Sequence, residues 1–296
     1  GTGSVSCLLG QLVDENQINI LGAGQASSKG FERGTITDME AILNSINHAV
    51  EMAEETARQN IQGIYVNLAP NLCRSNIVNI ELPISGHEIE LSDIQRVVQQ
   101  ACQFSAQNGY DVIHAIPISY TIDDTTGIKD PRGMFGETLT AKIHIIETPM
   151  SILKNIMACV EKAHLQTLGF VASQYASGLA CLEKDEMQLG TIVVDMGADT
   201  TGLAIFTEGD LKHIDTLKVG GTHITKDISR GLSTPLSHAE RVKVLYGTLL
   251  SSSIVDRENI IMDFIKNVLF LRQYVNVGFA YPSVYKLQEK YRKQNY

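Results

Sequence analysis

The stretch Gly190–Phe206, GTIVVDMGADTTGLAIF, constrains this chain of 296 residues more than any other. Thr191 to Asp195 is an apolar, largely β-branched run ending on an aspartate, the pattern of a buried strand. Met196-Gly197-Ala198-Asp199-Thr200-Thr201 is a tight turn, Gly202–Phe206 a second β-rich run, and Thr207-Glu208-Gly209-Asp210 turns the chain into a strand over Leu211–Val219. A strand that ends in Asp-x-Gly-x-x-Thr and returns at once as a hairpin suits the holding of a phosphate. Gly197 lets the backbone approach an oxyanion, and Thr200 and Thr201 offer hydroxyl and N–H donors. Asp195, at the strand end, can orient the waters of a Mg2+ ion that bridges phosphates. The same residues also compose a plain β-hairpin, because all of them favour turns.

The device recurs at the start of the chain. Gly1-Thr2-Gly3-Ser4 runs into a strand over Val5–Leu12 and another over Gln17–Gly22; the alternative is that these four residues are an expression remnant. A turn of this kind expects a strand before it as well, so a sheet beginning at Gly1 is expected to leave one neighbour unpaired. The chain thus carries two glycine-threonine turns of one kind, one near its start and one at Asp195–Thr201.

Thr35–Arg58 reads as a helix with a capping box at Thr37-Asp38-Met39-Glu40 and an apolar face of Met39, Ile42, Leu43, Ile46 and Val50. Gln62–Ala69 is a short strand closed by Pro70. Asn76–Leu82 alternates as a strand; Ser92–Phe104 is a helix capped by Ser92, with Ile94, Val97, Val98 and Ala101 inward; Asp111–Ile116, Ser119–Asp123 and Thr138–Ile146 are strands. This strand–helix–three-strand unit is expected to be a small inserted domain, with Gly127–Gly136 as a turn-rich loop. Met150–His164 follows as a helix with Ile152, Ile156, Met157 and Val160 inward, then a strand over Thr167–Val171 and a small-residue helix over Gln174–Leu182. Beyond the central hairpin, Thr222–Leu232 and Ser237–Tyr246 read as helices, the latter with a Ser237-His238-Ala239-Glu240 capping box in which Glu240 reaches the Ser237 N–H.

The length implies two domains, or one with an insertion. A net charge of −9 excludes a general nucleic-acid binder, because phosphate repulsion goes uncompensated. Five cysteines, none at metal-ligand spacing, read as small core residues of a reducing compartment, and the scattered histidines as structural. No secretory signal or long apolar run is present, so a cytoplasmic location is expected.

Taken together, these pieces resemble the FtsA family of bacterial cell-division proteins, members of the actin-like ATPase superfamily. The resemblance is carried by the Gly1-Thr2 turn and its strand pair, the Lys29-Gly30 to Asp38 lead-in, the Gly127-Ile128-Lys129-Asp130-Pro131 loop through Gly136, and the Asp195–Thr201 turn. Gly220-Gly221-Thr222-His223-Ile224-Thr225-Lys226-Asp227-Ile228 and Ala239-Glu240-Arg241-Val242-Lys243 through Tyr246-Gly247 complete it, over about residues 1–258. It implies an actin-like (ribonuclease H-like) α/β fold with an inserted small α+β subdomain of SHS2 type and an incomplete second half. Subdomain 1A would comprise 1–73 and 150–190, subdomain 1C 74–149, the start of 2A 191–215 and a partial 2B 216–262.

The resemblance further implies ATP with Mg2+ between 1A and 2A. Gly1, Thr2 and Gly3 would lie on one side of the phosphates, and Asp195, Gly197, Thr200 and Thr201 on the other. Asp195 is the metal-orienting and catalytic candidate. Gly220 and Gly221 would let the backbone pass close to the nucleotide, and Glu240 with Lys243 would meet the ribose and adenine. Nucleotide acts in the family mainly as a switch, with slow hydrolysis at most. The implied partners are the FtsZ C-terminal tail through 2B, later division proteins through 1C, further copies in filaments, and the inner membrane at the division site through a C-terminal helix. Where relatives commonly carry two glycines this chain has Ala198 and Asp199. Residues 263–296 do not follow the family and hold six basic against two acidic residues. Ile260, Ile261, Phe264, Ile265, Val268, Leu269 and Leu271 could form an amphipathic helix there. The other reading of the whole is a small-molecule kinase of the same superfamily, which needs a further base beside its acceptor.

Overall fold

The computed structural model describes residues 3–14, 17–32, 34–106, 109–247, 259–261 and 274–276. The chain divides into two compact units, Gly1–Lys218 and Val219–Tyr296.

In the first unit β1 (Ser4–Asp14) and β2 (Gln17–Ser27) form an antiparallel hairpin, followed by the short pair β3 (Phe31–Glu32) and β4 (Thr35–Ile36). Helix α1 (Met39–Ala57) lies directly on β2. A Cβ on Gly24 would stand 1.9 Å from the Ala49 carbonyl oxygen, and one on Gly22 2.2 Å from that of Ala53. Only small residues fit such an approach. Ser45, Ala49 and Ala53 are buried accordingly; of the expected apolar face Ile42 is buried as well, while Met39, Leu43, Ile46 and Val50 stop half-buried. The cap is Asp38 alone, whose carboxylate accepts the Glu40 and Ala41 N–H groups at 3.0 Å each.

After β5 (Gly63–Leu68) and a single 3-10 turn at Pro70–Leu72, the chain enters β6 (Arg74–Pro83), α2 (Leu91–Ala106), β7 (Tyr110–Ile122), β8 (Thr125–Ile128) and β9 (Thr138–Pro149). The four strands form an antiparallel sheet in the order β6-β9-β7-β8. Val97 and Ala101 of α2 pack on it with Leu82, Tyr120, Leu139, Ala141, Ile143 and Ile145. The expected strand–helix–three-strand unit is present with a different division. Asp111–Ile116 and Ser119–Asp123 are one strand, with Pro117 where the register against β9 shifts, a place that tolerates a residue without an N–H. The additional strand is β8, which reaches into the Gly127–Gly136 segment read as loop. Ser92 does not cap α2. The buried Asp93 carboxylate accepts the Glu90 N–H at 3.0 Å, and this bond, against the opposing effect of burial, leads in holding Asp93 below its ordinary pKa. The unit is tied at its root by Arg74, whose Nε donates to Glu147 Oε1 at 2.6 Å while its guanidinium lies 3.4 Å over the Tyr110 ring.

Helix α3 (Met150–Lys162) buries Leu153, Cys159 and Val160, but Met157, expected inward, is 39% exposed. Strand β10 (Gln166–Ala172) pairs parallel with β5, and α4 (Ser173–Cys181) and α5 (Lys184–Leu189) lead to the antiparallel sheet of β11 (Thr191–Met196), β12 (Thr201–Thr207) and β13 (Asp210–Leu217). Glu208 and Gly209, at φ 56° and 83°, make the two-residue turn between β12 and β13, where only a left-handed backbone matches the strand twist. Strand β12 is the buried one, packed under α4 at Phe206. Strand β11, expected to be buried, pairs only with β12 among the described residues and leaves Ile192, Val194 and Met196 exposed.

The second unit contains α6 (Gly221–Leu232), α7 (Leu236–Tyr246) and the antiparallel pair β14 (Asn259–Ile261) and β15 (Tyr274–Asn276). Ile260 and Ile261 thus lie in a strand and not in the helix expected of them; Phe264, Ile265, Val268, Leu269 and Leu271 fall outside the described residues. Among the described residues no helix is long and apolar enough to cross a membrane.

Candidate functional site

The turn between β11 and β12 closes on itself, the Gly197 N–H donating to the Thr200 carbonyl at 2.8 Å. A Cβ at Gly197 would lie 3.1 Å from that oxygen, so glycine here provides room without any left-handed backbone. The start of β1 reaches the same turn: a Cβ on Gly3 would be 3.3 Å from the Ala198 side chain. The two turns picked out from sequence are therefore neighbours within the first unit. Together they line a cavity of about 280 Å³, to which Ser4, Asn67, Ser173, Asp195 and Thr200 bring polar side chains and Phe31, Leu68, Leu72 and Ile156 apolar ones.

Strand β11 holds Asp195 in the lining, and its Oδ2 accepts a hydrogen bond from the Ser177 hydroxyl of α4 at 3.2 Å. Asp195 is the charged residue of the described lining; no lysine, arginine or histidine joins it. A bare phosphate would meet a carboxylate with no compensating cation, whereas one carboxylate among hydroxyls and an amide is a hard oxygen set that suits Mg2+ carried in on phosphates. Among the described residues no group of three or more metal-ligating side chains exists, so such an ion would keep its waters and its phosphate ligands.

Gly3, Asp195, Gly197 and Thr200 are thus brought together as the sequence suggested. Gly1 and Thr2 lie outside the described residues. Thr201 is buried at the head of β12 and is not part of the lining. Gly220, Gly221, Glu240 and Lys243 belong to the second unit, where the last three share one network with Thr225 and the Gly220 N–H donates to His223 Nδ1 at 3.2 Å. Lys243 Nζ donates to the Gly221 carbonyl at 3.2 Å, Thr225 Oγ1 at 2.9 Å and Glu240 Oε2 at 2.7 Å, and the Thr225 hydroxyl donates to Glu240. Burial pushes the Glu240 carboxyl up, but the bonds from Lys243 and Thr225 outweigh it and hold the pKa below its ordinary value. The capping role read for Glu240 is not adopted: Pro235 precedes α7, no side chain caps it, and the carboxylate turns to α6. Sequence reasoning missed Ser4, Asn67, Ser173 and Ser177. The signal available for the last two was the small-residue character of α4, and for Asn67 its place at the end of a strand just before Pro70.

Residues 71–147 match the family described as the SHS2 domain inserted in FTSA, and residues 192–268 the one described as cell division protein FtsA. The chain is 36% identical over 270 residues to the cell division protein FtsA of Agrobacterium fabrum, covering 88% of this chain and 61% of that protein. Against the Escherichia coli K12 protein of the same name the identity is 33% over 262 residues, covering 88% and 62%. The chain belongs to the FtsA family. It spans about three-fifths of the length of these relatives, at 61% and 62%. The fold is the actin-like α/β fold expected, and the SHS2 match coincides with the β6–β9 sheet and α2. Among solved structures, a chain of the PilM-PilN type IV pilus biogenesis complex superposes with a TM-score of 0.60 at 16% identity, covering 83% of this chain and 68% of that one, a likeness of fold.

Proposed function

We propose that the first unit binds ATP with Mg2+ and that the protein is a nucleotide-gated cell-division adaptor. The supporting observation is the meeting of Gly3 with the Asp195–Thr200 turn in one cavity whose charged side chain is a carboxylate. In this reading Gly3 and Thr200 offer backbone and hydroxyl donors to phosphate oxygens, Gly197 gives the backbone room to approach them, and Gly1 and Thr2 serve the same phosphates. Bound Mg2+ supplies charge neutralisation on the phosphates, and Asp195 orients its waters. Residues 1–73 with 150–190 act as subdomain 1A, 74–149 as 1C, 191–215 as the start of 2A and 216–262 as 2B.

The output is association: with the FtsZ C-terminal tail through 216–262, with later division proteins through 74–149, and with further copies in filaments, at the cytoplasmic membrane face of the division site. Hydrolysis is slow because the described lining offers no carboxylate besides Asp195 to serve as a separate base. The same feature disfavours the kinase reading, which acceptor-stimulated release of ADP would support. Titration calorimetry tests the proposal: Mg2+-ATP binds the wild type, and Asp195→Asn, which keeps the shape and removes the charge, loses at least about tenfold in affinity. Equal binding by both overturns it. Co-pelleting with FtsZ polymers, lost on removal of 216–262, tests the adaptor half.

A further inference from the structure

We infer that Ser177 is a positioning residue for Asp195, and that through it helix α4 sets how strongly the phosphate site depends on a divalent cation. The inference rests on the Mg2+-ATP reading above and adds to it a residue that does not touch the ligand. Asp195 stands at the end of a strand, where a carboxylate can turn about its last torsion and offer either oxygen to the cavity. The Ser177 hydroxyl donates to Oδ2 at 3.2 Å, which occupies one oxygen and leaves Oδ1 for the hydration shell of a cation.

A hydroxyl can hold a neighbour still only if its own backbone is fixed, and α4 is fixed on two sides. Gln174, fully buried, donates Nε2 to the Pro70 carbonyl at 3.3 Å and to Thr216 Oγ1 at 3.4 Å. Gly178 lies against the Phe206 ring so closely that a Cβ there would approach it to 2.3 Å. Ser173, one turn before Ser177, lines the cavity itself. Residues 173, 174, 177 and 178 thus share one face of the helix.

The test uses the full chain with ATP as the probe, titrated by calorimetry with Mg2+ and again with the metal chelated, for wild type, Ser177→Ala and Ser177→Thr. The expected result is that Ser177→Ala weakens Mg2+-ATP about tenfold, the effect of one hydrogen bond to a charged group, while metal-free ATP is unaffected. Ser177→Thr, which keeps the hydroxyl, restores the wild-type dependence on Mg2+. Circular dichroism and melting of Ser177→Ala that match wild type accompany that outcome, since alanine favours the helix. Wild-type affinity for Mg2+-ATP in Ser177→Ala, or equal losses with and without the metal, overturns the inference while leaving the ATP reading intact. No binding of Mg2+-ATP by the wild type overturns both.

Discussion

His144 shows what a buried titratable group imposes on a single strand. It is fully buried in β9, its Nδ1 lies 3.0 Å from the Leu211 carbonyl, and Nε2 has no partner among the described residues. Since a carbonyl only accepts, Nδ1 carries the proton, and Nε2 is where a second proton must go. Burial pulls the imidazole down to about 4, with the Leu211 carbonyl opposing and His213 adding to the depression. In the unfolded chain it titrates near about 6.5. The folded pKa is the lower one, so the contribution to stability is complete above about 6.5 and is lost as the pH falls toward about 4. Asparagine can still donate to Leu211 but does not titrate. Denaturant unfolding at pH 7 and pH 5 should therefore show His144→Asn losing less stability than wild type, by about 2 kcal/mol. Equal losses would mean that His144 is not the group that takes up the proton. At this scale the sequence revealed what depends on local spacing: Asp195, Gly197 and Thr200 were grouped by their order, and they line one cavity. Ser177 and Asn67 reach the site through helix and strand packing, which no local spacing records.

Among elements, the hairpin β1–β2 and helix α1 show why periodicity identified the helix but not its inner face. A hydrophobic stripe predicts burial when the helix stands a side-chain layer away from its neighbour. Here Gly22 and Gly24 remove that layer, and the helix backbone at Ala49 and Ala53 comes directly against the strand. The stripe of larger residues is displaced to the flanks. For α2, which packs on strands bearing full side chains, the inward set of Val97 and Ala101 with Ile94 and Val98 agrees with the sequence reading. Gly24→Ala should cost at least about 2 kcal/mol of unfolding free energy, because the atom it must displace is a backbone carbonyl and not a flexible side chain. Glycine at position 10, where the nearest neighbour is the Ile18 side chain at 2.8 Å, can yield by rotation, so Gly10→Ala should cost less. Thermal melts of the two variants compare them directly, and a ranking in the reverse order would refute the close helix–strand approach.

For the whole molecule, composition bounded the charge and the number of compact units, while solvent contact of the sheets lay beyond its reach. A β-branched run such as Thr191–Asp195 reads as buried because such runs usually have neighbours on both edges and both faces. In the first unit β11 has β12 beside it and no described strand on its other edge. Its alternate residues Ile192, Val194 and Met196 are 59%, 54% and 72% exposed. The β1–β2 hairpin likewise leaves Leu8, Leu12, Ile18 and Ile20 at 60% exposure or more. Apolar strand faces in water associate, and an edge that offers unpaired N–H and C=O groups gives the association a template. A net charge of −9 opposes this at low ionic strength and less so once salt screens it beyond about 8–10 Å. The chain should therefore self-associate more at high salt than at low salt, the reverse of an association built on ion pairs. Val194→Lys, which places a charge in the middle of the β11 face, should lower the weight-average mass in sedimentation at a given concentration and salt. Association that weakens with salt, or that Val194→Lys leaves unchanged, would assign it to charged surface elsewhere and not to the open face of β11.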